Sequence, residues 1–216
     1  MNKGYRMGLL LMVFLTVLVT ALSALLYKVP GELLIISFVI ILCCSIFLWT
    51  RKLSRGLLYI HNILNLTGAI ALGYIISVIF FPSRDSIIGL IAGVVAVDVF
   101  SFTKRGGFTL NSKLINQTDM LARLSISSPL PQQKGLFPII GIGDMVFYSM
   151  LSMSAFEACG ISVFLPVVSI LLIGQLLNII CILIISNKKW YRGFPATLMP
   201  GVLFFIGIAA NIIKIN

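Results

Sequence analysis

The sequence predicts an all-α polytopic membrane protein with about seven transmembrane helices. Of the 216 residues, 59% are hydrophobic and only 10% are charged. Water cannot solvate so much apolar surface around a soluble core. Apolar runs of about 20 residues, the length that a helix needs to cross a hydrocarbon core of about 30 Å, recur along the chain. We therefore expect the lipid bilayer to surround this protein.

Seven apolar runs account for most of the chain. They cover approximately residues 8–27, 31–49, 57–81, 86–103, 138–155, 161–185 and 194–213. The first run resembles a signal peptide, because Ala21, Ser23 and Ala24 are small residues like those of a cleavage site. Its apolar core is nevertheless longer than the roughly 7 to 15 residues of a signal peptide, so we expect an uncleaved first helix.

The basic residues fall unevenly on the two sides of these predicted spans. One side receives 13 of the 16, namely Lys3, Arg6, Arg51, Lys52, Arg55, Lys104, Arg105, Lys113, Arg123, Lys134, Lys188, Lys189 and Arg192. The other side receives Lys28, Arg84 and Lys214. The positive-inside rule then predicts a cytoplasmic N-terminus and an outer C-terminus. Because the net charge of +10 lies in short clusters between apolar runs, we expect no nucleic-acid partner.

Two of the six acidic residues fall inside predicted spans. Glu32, Asp85, Asp119 and Glu157 lie in or beside loops, whereas Asp98 and Asp144 do not. A carboxylate in a membrane costs roughly 2.5 to 3.5 kcal/mol on insertion scales, so each such residue is a functional hypothesis. At about 1.5 Å per residue, both acids lie roughly 8 to 9 Å below the cytoplasmic surface, where they can meet.

Two adjacent carboxyl groups can hydrolyse an amide. At a separation of about 3 Å they cannot both ionise, so they share one proton. The ionised group accepts a proton from an attacking water while the protonated group donates to the substrate carbonyl, without metal or cofactor. Gly141 and Gly143, just before Asp144, would let an extended substrate or a neighbouring helix approach closely. Ordinary helix packing is the alternative role for this glycine pair.

Other catalytic sets are missing from the sequence. The single histidine, His61, excludes an H-E-x-x-H zinc site, and no G-x-S-x-G supports a serine nucleophile. Together with Asn62 and Asn65, His61 is interpreted as a hydrogen-bonded polar residue between helices or near the cytoplasmic interface. Gln175 and Asn178 are likewise interpreted as interhelical hydrogen-bonding residues. The four cysteines form no C-x-x-C, so no metal site is expected.

Three segments resemble one known family. The stretch GIGDMVFYSML at 141–151 resembles the G-x-G-D motif of presenilins, with its following F-Y-S-x-L. Asp98 occupies the place of that family's first catalytic Asp, and FPATLMPG at 194–201 resembles its P-A-L motif, with Thr197 as a departure. The resemblance implies a presenilin-type intramembrane aspartyl endopeptidase that cleaves transmembrane segments of single-pass membrane proteins.

The resemblance also implies roles for single residues. Asp98 and Asp144 would be catalytic, and the substrate-binding residues would be Gly141, Gly143, Pro195, Ala196, Thr197 and Leu198. Proline has no backbone donor and resists helix, so an extended substrate could pair with free backbone groups near Pro195. Alternatively, Pro195 simply starts the last helix.

The implied domain organisation is compact. Residues 1–85 form an N-terminal scaffold of three helices, 86–103 the first catalytic helix, 104–137 a cytoplasmic loop, and 138–216 the GxGD helix, the following helix and the PAL-like last helix. Presenilins have five helices before the first acid, and they commonly have Tyr where this chain has Val97. The compact form looks like a prokaryotic cell-membrane homologue that needs no obligatory partner subunit. A presenilin-like catalytic core is expected nonetheless.

The long loop and two other functions remain open. The segment SKLINQTDMLARL within 104–137 predicts an amphipathic helix, which would lie on the membrane surface or gate the site. Prepilin and preflagellin peptidases also use G-x-G-D, but they cut soluble leader junctions. A proton-coupled transporter or channel would instead use the Asp pair as a proton relay.

Overall fold

The fold is a helical bundle with one small sheet. The computed structural model describes residues 3–51, 55–103, 120, 123–129, 136–185 and 195–214. Its elements are α1 (Lys3–Leu26), α2 (Gly31–Trp49), α3 (Arg55–Tyr74), α4 (Arg84–Ser101), β1 (Ser125–Pro129), β2 (Leu136–Gly141), α5 (Ile142–Cys159), α6 (Phe164–Ile185) and α7 (Leu198–Ala209). A π-helical segment, Ile75–Phe80, extends α3, and the 3₁₀ turn Gly160–Val163 joins α5 to α6.

Helix α5 lies at the centre of the bundle. Met145 and every residue from Phe147 to Phe156 are buried, so no face of the middle of this helix meets the surroundings. A helix that is apolar all round is expected in the interior. Helices α1, α3 and α6 and strand β2 all pack against it. The side chains in the first turn of α5 are therefore positioned by the elements that pack around this helix.

Glycines set two of the closest helix contacts. A Cβ at Gly73 in α3 would lie 2.6 Å from the Cβ of Ser149 in α5, too close for any side chain. The Ser149 hydroxyl donates a hydrogen bond to the Ile70 carbonyl at 3.1 Å, which ties the same two helices. A Cβ at Gly174 in α6 would lie 2.6 Å from the Cα of Pro200 in α7. Small residues at such contacts are typical of helix packing in membranes.

The chain is a helical membrane protein, but fewer helices meet the length and composition of a span than the seven predicted. Among the described residues, four helical runs are long and apolar enough to cross a bilayer: Gly8–Leu26, Gly31–Trp49, Gly56–Phe80 and Ile142–Ile185. The last run has 44 residues, about twice what a hydrocarbon core requires, and combines the fifth and sixth predicted spans. Gly160, with a φ of 69°, separates α5 from α6 within it.

The predicted spans 86–103 and 194–213 do not have the length and composition of a membrane-spanning helix, each for a different reason. Helix α4 carries three charged side chains, Arg84, Asp85 and Asp98, within 18 residues. Helix α7 has only 12 residues, against the 20 residues of the predicted run 194–213. Both elements exist where helices were predicted, but neither is by itself a typical apolar span.

The sequence analysis missed the two-stranded sheet. Strands β1 and β2 pair antiparallel, from Ser125 opposite Gly141 to Pro129 opposite Leu136, with an irregularity between Ile126 and Ser127. The fifth predicted span began at 138, whereas α5 begins at Ile142. Pro138 and two β-branched isoleucines after it favour extended backbone over a first helical turn. The amphipathic helix predicted over 112–124 lies almost wholly outside the described residues.

Two asparagines of α3 dock this sheet onto the bundle. The Asn62 side chain donates to the Ser127 carbonyl at 2.8 Å and accepts from the Ser127 N–H at 3.1 Å. The Asn65 amide donates to the carbonyls of Arg123 and Ser125, each at 3.1 Å. It also lies 3.3 Å from Nδ1 of the buried His61, so the predicted hydrogen bonding of His61 is confirmed, but with a partner on the same helix rather than between helices. These bonds hold strand β1 against helix α3.

Candidate active site

The two membrane acids lie at the same end of the bundle. Asp98 is three residues before the end of α4 at Ser101. Asp144 is the third residue of α5, which begins at Ile142. Their charges are close enough to interact with each other. Each acid lies within one turn of an end of its helix.

Asp98 is held by the turn that precedes α7. Its Oδ2 accepts one hydrogen bond from the Thr197 backbone N–H at 3.1 Å and a second from the Thr197 hydroxyl at 2.7 Å. Helices α4 and α7 also touch nearby, since a Cβ at Gly201 would lie 2.6 Å from Cγ2 of Val95. The first acid therefore packs against the last helix, 99 residues away in sequence.

Asn178 in α6 fixes that same turn. Its amide donates to the Ala196 carbonyl at 2.6 Å, and its oxygen accepts from the Met199 N–H at 3.4 Å. These two bonds lie on either side of Thr197, and the Asn178 side chain is buried. Ala196 and Thr197 form a turn and α7 starts at Leu198. Thus Pro195 does not start the helix, and the described residues 195–197 form no strand.

Asp144 occupies the first turn of the central helix, directly after strand β2. The N-terminal end of a helix favours a negative charge. Gly141 ends the strand, and a Cβ there would lie 3.3 Å from Oδ2 of Asp144. Tyr148, one turn further along α5, is buried and lies within electrostatic range of both acids. The carboxyl group is thus confined between a strand end and an aromatic ring.

A cavity of about 280 Å³ opens beside Asp144. Its lining comes from α1, the sheet, α5, α6 and the turn before α7: Met12, Ser125, Pro138, Ile139, Ile140, Gly141, Asp144, Tyr148, Asn178, Ile179, Ile182 and Ala196. Most of these side chains are apolar, and the few polar groups converge near Asp144. Such concave, mainly apolar sites with few polar groups are typical of binding pockets.

The structure brings together only part of the predicted site. Gly141, Asp144 and Ala196 line the cavity, and Thr197 bonds to Asp98. The other predicted substrate-binding residues are Gly143, which is exposed with open space around it, Pro195, which is buried, and Leu198, which is partly buried. None of these three is among the cavity-lining residues.

Tyr148 and Asn178 are two of the lining residues that were not predicted to belong to the site. Tyr148 was part of the family motif but received no role, although its spacing of four residues from Asp144 places both on one helix face. Asn178 was correctly interpreted as an interhelical bonding residue, yet it also lines the cavity. A polar residue on an otherwise apolar helix face was the available signal for it.

The arrangement joins two carboxyl groups, a hydroxyl donor and an apolar cavity. Among the described residues, no group of three or more His, Cys, Asp or Glu could hold a metal ion. Two carboxyl groups within electrostatic range of each other can perform acid/base chemistry. Comparison of the chain with models of protein families, with curated proteins and with solved structures gave no match.

Proposed function

We propose that this protein is an intramembrane aspartyl endopeptidase of the presenilin type. The observation that supports this function best is the position of Asp98 and Asp144. They come from two separate helices and lie within electrostatic range in a membrane protein, and Asp144 borders an apolar cavity. A carboxyl pair of this kind can activate water and polarise a carbonyl in one site.

The proposed reaction needs one proton shared between the two acids. The ionised carboxyl accepts a proton from water as that water attacks the scissile carbonyl carbon. The protonated carboxyl donates to the carbonyl oxygen, giving a neutral tetrahedral intermediate. Collapse of the intermediate transfers a proton to the leaving nitrogen and breaks the C–N bond. The titration belongs to the pair, so neither acid has a fixed role at this level of argument.

The substrate would bind as an extended segment, because helical peptide bonds are protected from attack. Strand β1 pairs with one edge of β2, and no further strand of the described chain pairs with β2. Residues 138–141 of β2 line the cavity beside Asp144. An added strand could therefore bind by main-chain hydrogen bonds, with side chains in the apolar cavity. The expected substrates are transmembrane segments of single-pass proteins, cut near their cytoplasmic ends.

The proposed membrane arrangement keeps the seven-span topology, with the N-terminus cytoplasmic and the C-terminus outside, in a prokaryotic cell membrane. In its favour, Asp98 lies near the C-terminal end of α4 and Asp144 near the N-terminal end of α5, as expected if the two helices cross the membrane in opposite directions. The charges of α4 would then be tolerated because Arg84 and Asp85 lie at one end of the helix and Asp98 near the other. The short helix α7 and the turn that precedes it would together cross the membrane.

The test is cleavage of a reporter transmembrane protein by the purified chain in detergent. Asp98→Asn and Asp144→Asn should each lower cleavage by at least about a thousandfold, because either change leaves a single carboxyl. Asp85→Asn is the matched control, since this exposed residue lies on the same helix as Asp98 but at its other end. It should cleave like the unchanged protein. Thermal unfolding in detergent checks that all three variants fold.

Two other functions are outcomes of the same experiment. Cleavage of a prepilin leader but not of a transmembrane reporter would favour a prepilin-type peptidase. Proton-linked uptake in vesicles, lost in both Asn variants and without any proteolysis, would favour a transporter or channel. Full cleavage by both Asn variants would reject the Asp pair as the catalytic machinery.

A further inference from the structure

We propose that Thr197 is a positioning residue for Asp98, and that Asn178 holds Thr197 in place. This assignment rests on the proposed function, and it differs from the substrate-binding role that the family resemblance implies for position 197. It concerns the hydroxyl group of Thr197, which is a feature of this chain rather than of a P-A-L motif. The geometry supports it in three steps.

The first step is the double contact itself. Both donors of Thr197, its backbone N–H and its hydroxyl, bond to the same oxygen of Asp98, at 3.1 Å and 2.7 Å. Two donors on one oxygen define both the distance and the direction of the carboxyl group. Hydrogen bonds to a carboxylate are stronger than those between neutral groups. Thr197 is buried, so water cannot easily replace its hydroxyl at Asp98.

The second step is the rigidity of the donor. Thr197 lies in a turn, and turns are usually mobile, but here Asn178 bonds to Ala196 on one side and Met199 on the other. Asn178 is buried in α6, whose Gly174 packs against Pro200 of α7. The turn is therefore anchored by side-chain and backbone contacts. A positioning residue needs such support, because a loosely held donor cannot orient its partner.

The third step is the surroundings of Asp98. Asp144 and Tyr148 of α5 are ionisable groups that interact with it, and Thr197, in the turn before α7, donates hydrogen bonds to it. Thr197 thus holds Asp98 from the α7 side while Asp144 lies on the α5 side. In the proposed reaction the two carboxyls must face one water and one carbonyl. A shift of about 1 Å in such a group can cost about a hundredfold in rate.

The experiment compares Thr197→Val with Thr197→Ser in the full chain. Valine has the shape of threonine and keeps the backbone N–H but lacks the hydroxyl, whereas serine keeps the hydroxyl. Thr197→Val should lower kcat about 10- to 100-fold with KM within about twofold, and Thr197→Ser should stay within about threefold of the unchanged protein. Thr67→Val is the control, since in the described part of the chain the Thr67 hydroxyl bonds within α3, to the carbonyls of Ile63 and Leu64.

A second measurement does not depend on activity. In protein labelled with ¹³C at aspartate carboxyls, the resonance that disappears in Asp98→Asn belongs to Asp98. It should move in Thr197→Val and stay in place in Thr67→Val. Asn178→Ala should move it as well, because the turn loses both of its anchors.

The outcomes separate the inference from the function on which it rests. If the unchanged protein cleaves and Thr197→Val matches it in kcat, or raises only KM, the positioning role is rejected. An Asp98 resonance that does not move in Thr197→Val rejects it as well. If no transmembrane substrate is cleaved but the resonance moves, the proposed function is rejected and the contact is supported. Serine rescue of kcat together with the moved resonance in Thr197→Val supports both.

Discussion

The two ends of α5 each place a carboxylate beside a cavity of similar volume. At one end Asp144 borders the cavity of about 280 Å³, and at the other Glu157 borders a cavity of about 260 Å³. The second cavity lies between the π-helical segment, the start of α4 and the end of α5, with Ser77 and Ser154 in its wall. Cavity volume alone would not separate the two ends of α5 as candidate sites.

Their surroundings differ in what could perform chemistry. Asp144 has a second carboxyl within range and sits at a helix N-terminus, which favours its negative charge. Glu157 is exposed at the opposite, C-terminal end, and no other acid lines its cavity. The hydroxyls of Ser77 and Ser154 bond to carbonyls of their own helices. The comparison teaches that the pairing of acids from two helices, rather than a carboxylate in a cavity, identifies the candidate site.

Changing the length of each carboxylate side chain gives the largest contrast. Asp144→Glu adds one methylene at the confined end and should lower cleavage about a hundredfold, because the carboxyl leaves its position relative to Asp98. Glu157→Asp removes one methylene at the exposed end and should change cleavage by less than about twofold. Initial rates on one reporter measure both effects. Equal losses in the two variants would show that the ends of α5 are functionally alike.

A smaller effect is expected from the link between α3 and the sheet. Asn62→Ala removes both side-chain hydrogen bonds from Asn62 to the backbone of the buried Ser127. The expected cost is about 1 to 3 kcal/mol of stability, concentrated in the sheet. Cleavage should fall about tenfold, since β2 leads directly into Asp144. Hydrogen exchange at Ser127 and thermal unfolding in detergent measure the change.

Ser162→Ala is the matched change at the other end of α5. The Ser162 hydroxyl is exposed and bonds to the Cys159 carbonyl at 2.9 Å. Its loss should change stability by less than about 0.5 kcal/mol and leave exchange in the sheet as it was. If Asn62→Ala behaves like Ser162→Ala, the sheet does not depend on α3 for its position.

The sequence predicted most of the helices and singled out the two candidate acids, for physical reasons. A helix must be long and apolar to cross the hydrocarbon core, so such runs are easy to recognise in a sequence. Every predicted span overlaps a helix of the structure. A carboxylate within such a run is rare enough to be noticed, and this feature singled out Asp98 and Asp144. The run-length argument failed where charges or breaks intervene, as in α4 and in the 44-residue run that bends at Gly160.

The sheet and the Thr197 contact could not be predicted because they depend on tertiary partners. Strand β2 continues without a polar boundary into α5, so its apolar residues looked like the start of a helix. Its extended form depends on β1, and β1 depends on Asn62 and Asn65 of α3. Likewise, the hydroxyl of Thr197 appeared only as a departure from a motif. Its partner lies 99 residues away in sequence.

The smallest predicted effect compares the two glycines of the G-x-G-D motif. A Cβ at Gly141 would lie 3.3 Å from the Asp144 carboxyl, whereas a Cβ at Gly143 would meet nothing within 4 Å. Neither glycine has a positive φ, so alanine fits both backbones. Gly141→Ala should therefore displace the carboxyl by a few tenths of an ångström and lower kcat about threefold to tenfold, without loss of stability. Gly143→Ala should leave kcat unchanged. If Gly143→Ala instead raises KM, the open space at Gly143 is where a substrate backbone approaches, as the family resemblance implies.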